Sequence, residues 1–275
     1  LTQFSPYDVY ALQYASRPTV ASAKFYRYEL YNEPDRDFDT AYYFWLVRNA
    51  DRTVLVDCGY SAEAAAIRNR QIDTEPAELL ARLGVTPEDV DHVVLSHMHF
   101  DHIGNIGLFP NATFSIARAE LEFWTGPYSD RGCIEWQVRS EEVQAVVALQ
   151  DAGRLQLVEA TPTELFPGIT LTVLPGHTPG QLVAHVVTRD QEIVLASDAL
   201  HFYDSLRLDR PFQIFLDLVG MYRSYDHLRQ LDTKPLTTII AGHDPEVMKM
   251  FEHAAENCAD LTRPKAPAPE YDQVL

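Results

Sequence analysis

The fold turns on Ser96-His97-Met98-His99-Phe100-Asp101-His102, three imidazoles and a carboxylate packed into a short stretch. It follows Asp91-His92-Val93-Val94-Leu95, an apolar, β-branched run of the length expected for a buried strand. The cluster therefore sits where a strand runs out into a loop, a usual place for a scaffold to present functional groups. Strand-like spacing sends His97 and His99 to one side, and a turn at Asp101-His102 aims the next pair at a neighbouring point. Imidazole nitrogen and carboxylate oxygen suit borderline cations such as zinc, so this segment could serve two adjacent metals. Burying so much polarity without a metal or dense hydrogen bonding would be costly.

Working outward, residues 42–47 and 53–57 read as two strands of a hairpin. Helices are expected over 62–69 and 75–83, the second with Pro76 in its first turn and Gly84 at its end. A strand at 112–116 and helices at 118–124 and 135–150 follow the histidine loop. The second half repeats the theme with strands at 155–158, 169–174, 182–188, 193–196 and 237–241 and a helix at 221–231. Two strand-rich halves with helices outside predict two facing sheets flanked by helices. No linker divides residues 1–262, read as one domain; 263–275, with Pro264, Pro267 and Pro269, reads as an extended arm.

The bulk numbers fit a soluble globular chain: 46% hydrophobic and 23% charged residues over 275 positions. No apolar run approaches the roughly 18–20 residues of a membrane helix, and no basic-then-apolar leader is visible at Leu1-Thr2-Gln3-Phe4. The net charge of −18 repels nucleic acid, and no compensating basic patch is evident in the sequence. Cys58, Cys133 and Cys258 are sparse and odd in number, which points to a reducing, cytoplasmic setting.

Three later residues occupy sites comparable to the first cluster. His177 lies in Leu174-Pro175-Gly176-His177-Thr178-Pro179-Gly180, Asp198 ends Leu195-Ala196-Ser197-Asp198, and His243 ends Ile239-Ile240-Ala241-Gly242-His243. Each is polar at a strand terminus, and glycines beside His177 and His243 allow close backbone approach. Five histidines and two aspartates are enough for two metals.

With these residues in hand, the chain resembles the metallo-β-lactamase superfamily, and within it most closely the N-acyl homoserine lactone lactonases. Ser96 to His102, Ala117-Arg118-Ala119-Glu120, Pro175 to Gln181 and Ala241-Gly242-His243-Asp244 carry the resemblance. It implies an α/β fold, an αββα four-layer sandwich with metals at one sheet edge, a homodimer, and a quorum-quenching type of hydrolase. It places one metal on His97, His99 and His177 and another on Asp101, His102 and His243, with Asp198 bridging. Two Zn(2+) per chain are implied, with Fe or Mn as alternatives. One departure stands out: the lactonases carry tyrosine three positions after the bridging aspartate, and here His201 stands there. His201 could donate a similar hydrogen bond, Tyr203 could swing in, or His201 could be a solvent-facing loop residue.

Two such metals would share a water, bring its pKa from about 15.7 towards about 7, and direct the resulting bridging hydroxide at a lactone or ester carbonyl. Asp101 and Asp198 are the expected proton relays. Ser96 and Ser197 are assigned to orienting the ligands, and Asp57 is a further candidate for that role. The aromatic-rich 25–31, Phe123-Trp124 and Phe202-Tyr203 supply core, interface or pocket lining. Two alternatives remain: a thioesterase of the glyoxalase II type, disfavoured by the missing basic patch, and an iron-dependent, persulfide dioxygenase-like oxidoreductase. Neither nucleic acid nor membrane is an expected partner.

Overall fold

A computed structural model describes residues 4–265. The first sheet takes β1 (Asp8–Arg17), β2 (Thr40–Arg48), β3 (Thr53–Val56), β4 (His92–Val94), β5 (Thr113–Ala117) and β6 (Leu155–Val158). The second takes β7 (Thr163–Phe166), β8 (Ile169–Val173), β9 (Leu182–Val187), β10 (Glu192–Ser197) and β11 (Thr237–Ala241). The chain then returns to the first sheet with β12 (Phe251–Ala255) and β13 (Cys258–Pro264). The spatial orders are β12-β13-β1-β2-β3-β4-β5-β6 and β11-β10-β9-β8-β7.

The helices are α1 (Ala62–Ile67), α2 (Pro76–Arg82), α3 (Phe100–Ile103), α4 (Arg118–Trp124), α5 (Gly132–Glu135), α6 (Ser140–Asp151), α7 (Tyr203–Arg207), α8 (Leu218–Asp232) and α9 (Glu246–Met250). Ser61 caps α1 by accepting from Ala64 N–H, and Asp217 caps α8 by accepting from Val219 N–H.

Strand β2 shows why the sheets must face each other. Its alternate residues Tyr43, Trp45 and Val47 enter the core shared with the second sheet, while Tyr42, Phe44 and Leu46 enter the core under α1, α2, α4 and α6. A strand that is apolar on both faces is stable only when both are covered. The result is the expected αββα sandwich. Helix α8 packs along β11 and buries Met221, Tyr225 and Leu228, an i, i+4, i+7 stripe.

Strands β3 to β6 run parallel, so their carboxyl ends share one edge. In the second sheet β8 and β10 are each antiparallel to β9, and β11 is parallel to β10. Thus β8, β10 and β11 point the same way. Ligands bind at the carboxyl ends of strands in open α/β sheets, and these are the ends that carry the polar residues.

Several elements were not read from the sequence: β1, β7, α7, α9 and the β12–β13 hairpin, which pairs with β1 through Tyr10 and Asp260. The helix expected over 135–150 begins only at Ser140, as α6; Glu135 ends the short α5, and in the turn between them Gln137 C=O accepts from Phe100 N–H at 2.9 Å. Of the arm expected from 263, Arg263 and Pro264 belong to β13; residues 266–275 lie outside the described residues. Among the described residues no helix is long and apolar enough to cross a membrane.

Candidate metal centre

The loop after β4, the Pro/Gly turn after β8, and the ends of β10 and β11 converge at the shared edge. Ligand-capable atoms of His97, His99, His177 and Asp198 all lie within 4.8 Å of one another, and those of Asp101, His102 and His243 form a second such group. Asp198 joins them. Its Oδ2 lies 3.2 Å from His177 Nε2 and 3.7 Å from His97 Nε2, whereas Oδ1 lies 3.1 Å from His243 Nε2 and 3.4 Å from His102 Nε2. One carboxylate thus presents one oxygen to each group.

The far nitrogens of four histidines are occupied. His177 Nδ1 is 2.9 Å from Ile214 C=O, His243 Nδ1 is 2.8 Å from Ala41 C=O, and His102 Nδ1 is 2.7 Å from Asp57 Oδ2. His97 Nδ1 meets Ser96 Oγ at 3.0 Å. Partners of this kind set the tautomer and leave Nε2 facing inwards with a lone pair. His99 is turned the other way: its Nδ1 lies 2.9 Å from His177 Nε2, and its ring meets Trp124 edge-on.

Asp57 organises this layer. Its Oδ1 accepts from Ser96 N–H at 2.8 Å, and its Oδ2 accepts from Ser96 Oγ–H at 2.8 Å and Ser197 Oγ–H at 3.0 Å as well as facing His102. The close approach needs small residues. A Cβ on Gly242 would stand 2.6 Å from Ser197 O, and one on Gly176, at φ +135°, would run into the Met221 backbone.

Burial, followed by the neighbouring histidines, drives His97 and His99 well below the usual imidazole range, so both are neutral, the form that binds metal. Burial would also lower His102 and His243, but Asp198 and the other nearby carboxylates outweigh it and raise both. Burial would raise Asp198; His201, His243 and His102 outweigh it and hold it well below the carboxylate range. The pocket calls for positive charge. Asp198 Oδ1 and His102 Nε2 are buried with no hydrogen-bond partner in the described residues, and imidazole nitrogens about 3 Å apart repel unless a cation or proton separates them. The donor set therefore fits two divalent metals.

His201 is not a surface residue. It is 1% exposed, stacks on Phe212 at 3.7 Å between ring centroids, and has neither ring nitrogen in an aligned hydrogen bond, although Nε2 is 2.9 Å from Asp198 Oδ2. Burial brings its pKa down to about 3, so the ring is neutral. Tyr203 corrects the expectation that it could swing towards substrate: its hydroxyl donates to Ile239 C=O at 3.2 Å within the inter-sheet core.

Two features escaped the sequence reading. Glu120, at the start of α4, is fully buried and accepts from Met98 N–H at 3.0 Å, Trp124 Nε1–H at 2.7 Å and Gly180 N–H at 2.9 Å. Burial raises its pKa against these hydrogen bonds. It ties the loop bearing His99 to the turn bearing His177; its place in an Ala-Arg-Ala-Glu stretch was visible, its role was not. The second is a correction: a basic patch does exist. Arg17, Lys24 and Arg70 come from three separate segments to line the cavity of about 450 Å³ that also exposes His99, Asp101 and His201.

Fold and site together define an αββα protein with a two-part, histidine-rich centre at its strand ends. The sequence profile of the metallo-beta-lactamase superfamily matches residues 39–243, and the chain belongs to that superfamily. The N-acyl homoserine lactonase AttM of Azorhizobium caulinodans is 30% identical over 184 residues, 62% of this chain and 65% of the relative, so just under two thirds of its length is spanned. Among solved structures, a quorum-quenching N-acyl homoserine lactone lactonase superposes with a TM-score of 0.74 at 22% identity, covering 90% of this chain and 97% of that one. AidC, a dizinc quorum-quenching lactonase solved with the product N-hexanoyl-L-homoserine, gives 0.67 at 22% identity over 88% and 89% of the two chains.

Proposed function

We propose that this chain is a dinuclear metal-dependent hydrolase that opens a lactone, or cleaves a related carboxylic ester, with zinc as the metal. The observation that carries this is Asp198, whose two oxygens face two separate groups of ligand-capable atoms. His97, His99 and His177 would hold one ion and Asp101, His102 and His243 the other. When bound, the ions supply Lewis acidity and an activated water, so no serine or cysteine nucleophile is needed.

The chain's own residues do the rest. His201, neutral and buried against Phe212, is placed to donate an N–H to the carbonyl or leaving oxygen. Asp101, 12% exposed at its side chain against 4% for Asp198, is the carboxylate better placed to carry the proton to the leaving oxygen. Tyr14 steadies it by donating to the Asp101 backbone C=O at 2.9 Å. His201→Phe will lower kcat by about 10²-fold while bound metal stays at the wild-type level. An unchanged rate would make His201 a packing residue.

The relatives named lactonases support lactone opening, and a quorum-quenching role follows if the substrate is an acyl-homoserine lactone. Arg17, Lys24 and Arg70 revive one second reading, hydrolysis of a glutathione thioester, because glutathione carries two carboxylates. Three free cysteines suit a cytoplasmic setting. The homodimer implied by resemblance is read by light scattering, as a mass near twice the 31.2 kDa of the chain.

The test is metal analysis with a substrate screen. We expect about two zinc ions per chain, opening of at least one lactone or ester, no oxygen uptake, and loss of activity on chelation with recovery on adding zinc. One iron per chain with oxygen consumption would replace hydrolysis by the oxidoreductase reading.

A further inference from the structure

We propose that the substrate carries, besides its scissile lactone or ester, a carboxylate or phosphate group that docks on Arg17, Lys24 and Arg70. The inference rests on the hydrolase reading above and names the class of molecule that site accepts.

The three cations share one cavity and lack the carboxylate partner that many arginines of the chain have. Arg36, Arg82, Arg118, Arg139, Arg207, Arg210, Arg229 and Arg263 all have a carboxylate partner. Among the described residues no carboxylate oxygen lies within 4.0 Å of the charged nitrogens of Arg17, Lys24 or Arg70, although acidic residues outnumber basic ones by 40 to 22. Lys24 is only 6% exposed. Arg70 Nε is buried with no hydrogen-bond partner, and Arg70 Nη1–H donates to Arg68 C=O at 3.2 Å.

Lys24 is a buried charge with no carboxylate partner among the described residues, which is costly. The half-buried Arg70 and exposed Arg17 beside it add like charge, so this arrangement asks for an anion. Burial of Lys24, with the field of Arg17 and Arg70, brings its ammonium down to about 8, as expected for three like charges sharing one space. Asp101, on the same cavity, acts on Lys24 in the opposite direction. The divalent ions it would help hold add positive charge of their own, so a substrate anion would complete the balance. Guanidinium forks match the planar oxygens of carboxylate and the faces of phosphate. Val20, Phe212 and Ile214 line the same cavity and can take an apolar remainder.

The test compares, on the zinc-loaded protein, a γ-lactone bearing a ring carboxylate with its neutral methyl ester and with a phosphate-bearing analogue. At least one anionic lactone will exceed the neutral one in kcat/KM by about 10²-fold, and the better of the two identifies the group. Lys24→Met and Arg70→Gln will each raise the KM of that substrate and cut the anionic-to-neutral ratio about tenfold, with bound zinc as the control for folding. Calorimetry supplies a readout free of turnover: succinate will bind at least tenfold more tightly than butyrate, and Lys24→Met will erase the difference. Equal use of charged and neutral lactones with equal binding of succinate and butyrate overturns the proposal. Selective succinate binding with no lactone or ester opened leaves the anion site standing and overturns the hydrolase reading instead.

Discussion

Replacing Asp198 with asparagine will strip the centre of metal and lower kcat/KM by at least about 10³-fold, a loss of roughly 4 kcal/mol of transition-state stabilisation. Asparagine keeps the shape but removes the charge and turns one oxygen into an NH2 donor. Whichever way the amide sits, that donor faces either His177 and His97 or His243 and His102, where lone pairs should converge on a cation. The Asp198 backbone follows directly from β10, held between β9 and β11, so the fold will persist in circular dichroism. Elemental analysis and a lactone assay on the same sample decide the matter. His99→Ala will act in the same direction by removing a nitrogen 2.9 Å from His177. Full metal and full turnover in either variant would end the ligand assignment.

Asp57→Ala will destabilise the metal-free protein by about 3–5 kcal/mol, the range for removing one member of a buried charged pair. It will also weaken metal binding, although Asp57 belongs to neither group of metal-facing atoms. The carboxylate is completely buried and serves Ser96 N–H, Ser96 Oγ, Ser197 Oγ and His102 Nδ1. Alanine leaves those groups without a partner and frees the His102 ring to rotate. At about 2–4 °C per kcal/mol for a chain of this size, the melting temperature of the metal-free form will fall by roughly 10 °C. A competition titration with a zinc chelator reads the second effect, expected at about 10–100-fold in affinity. An unaltered melting curve and zinc affinity would reduce Asp57 to the turn residue its φ of 63° also allows.

These two residues show how far reading along the chain reaches. Asp198 and the histidines were legible because each follows an apolar run with no local structural reason to be polar, and that mismatch is a property of neighbours in sequence. Asp57 was visible as a candidate only, since its value lies in Ser96 and Ser197, reached across two sheets. Strand β1 was missed because alanine and tyrosine alternate there without a strong polar face: it lies between β13 and β2 and is covered on both sides. The C-terminal hairpin was missed for the opposite reason. Glu252, His253 and Glu256 make its outer edge polar and weak in β-propensity, and pairing with β1 holds it.

The order of residues alone supplied the candidate donor set, the alternation of strands and helices, and the class of chemistry. Those depend on side-chain type and on periodicity over a few positions. Tertiary structure alone decided that Asp198 divides its oxygens between two groups, that Tyr203 turns into the core while His201 faces the cavity, and that Arg17, Lys24 and Arg70 stand together beside the centre. Those facts depend on which strand ends are brought to one edge, and the pairing of two sheets sets that over distances no local pattern records.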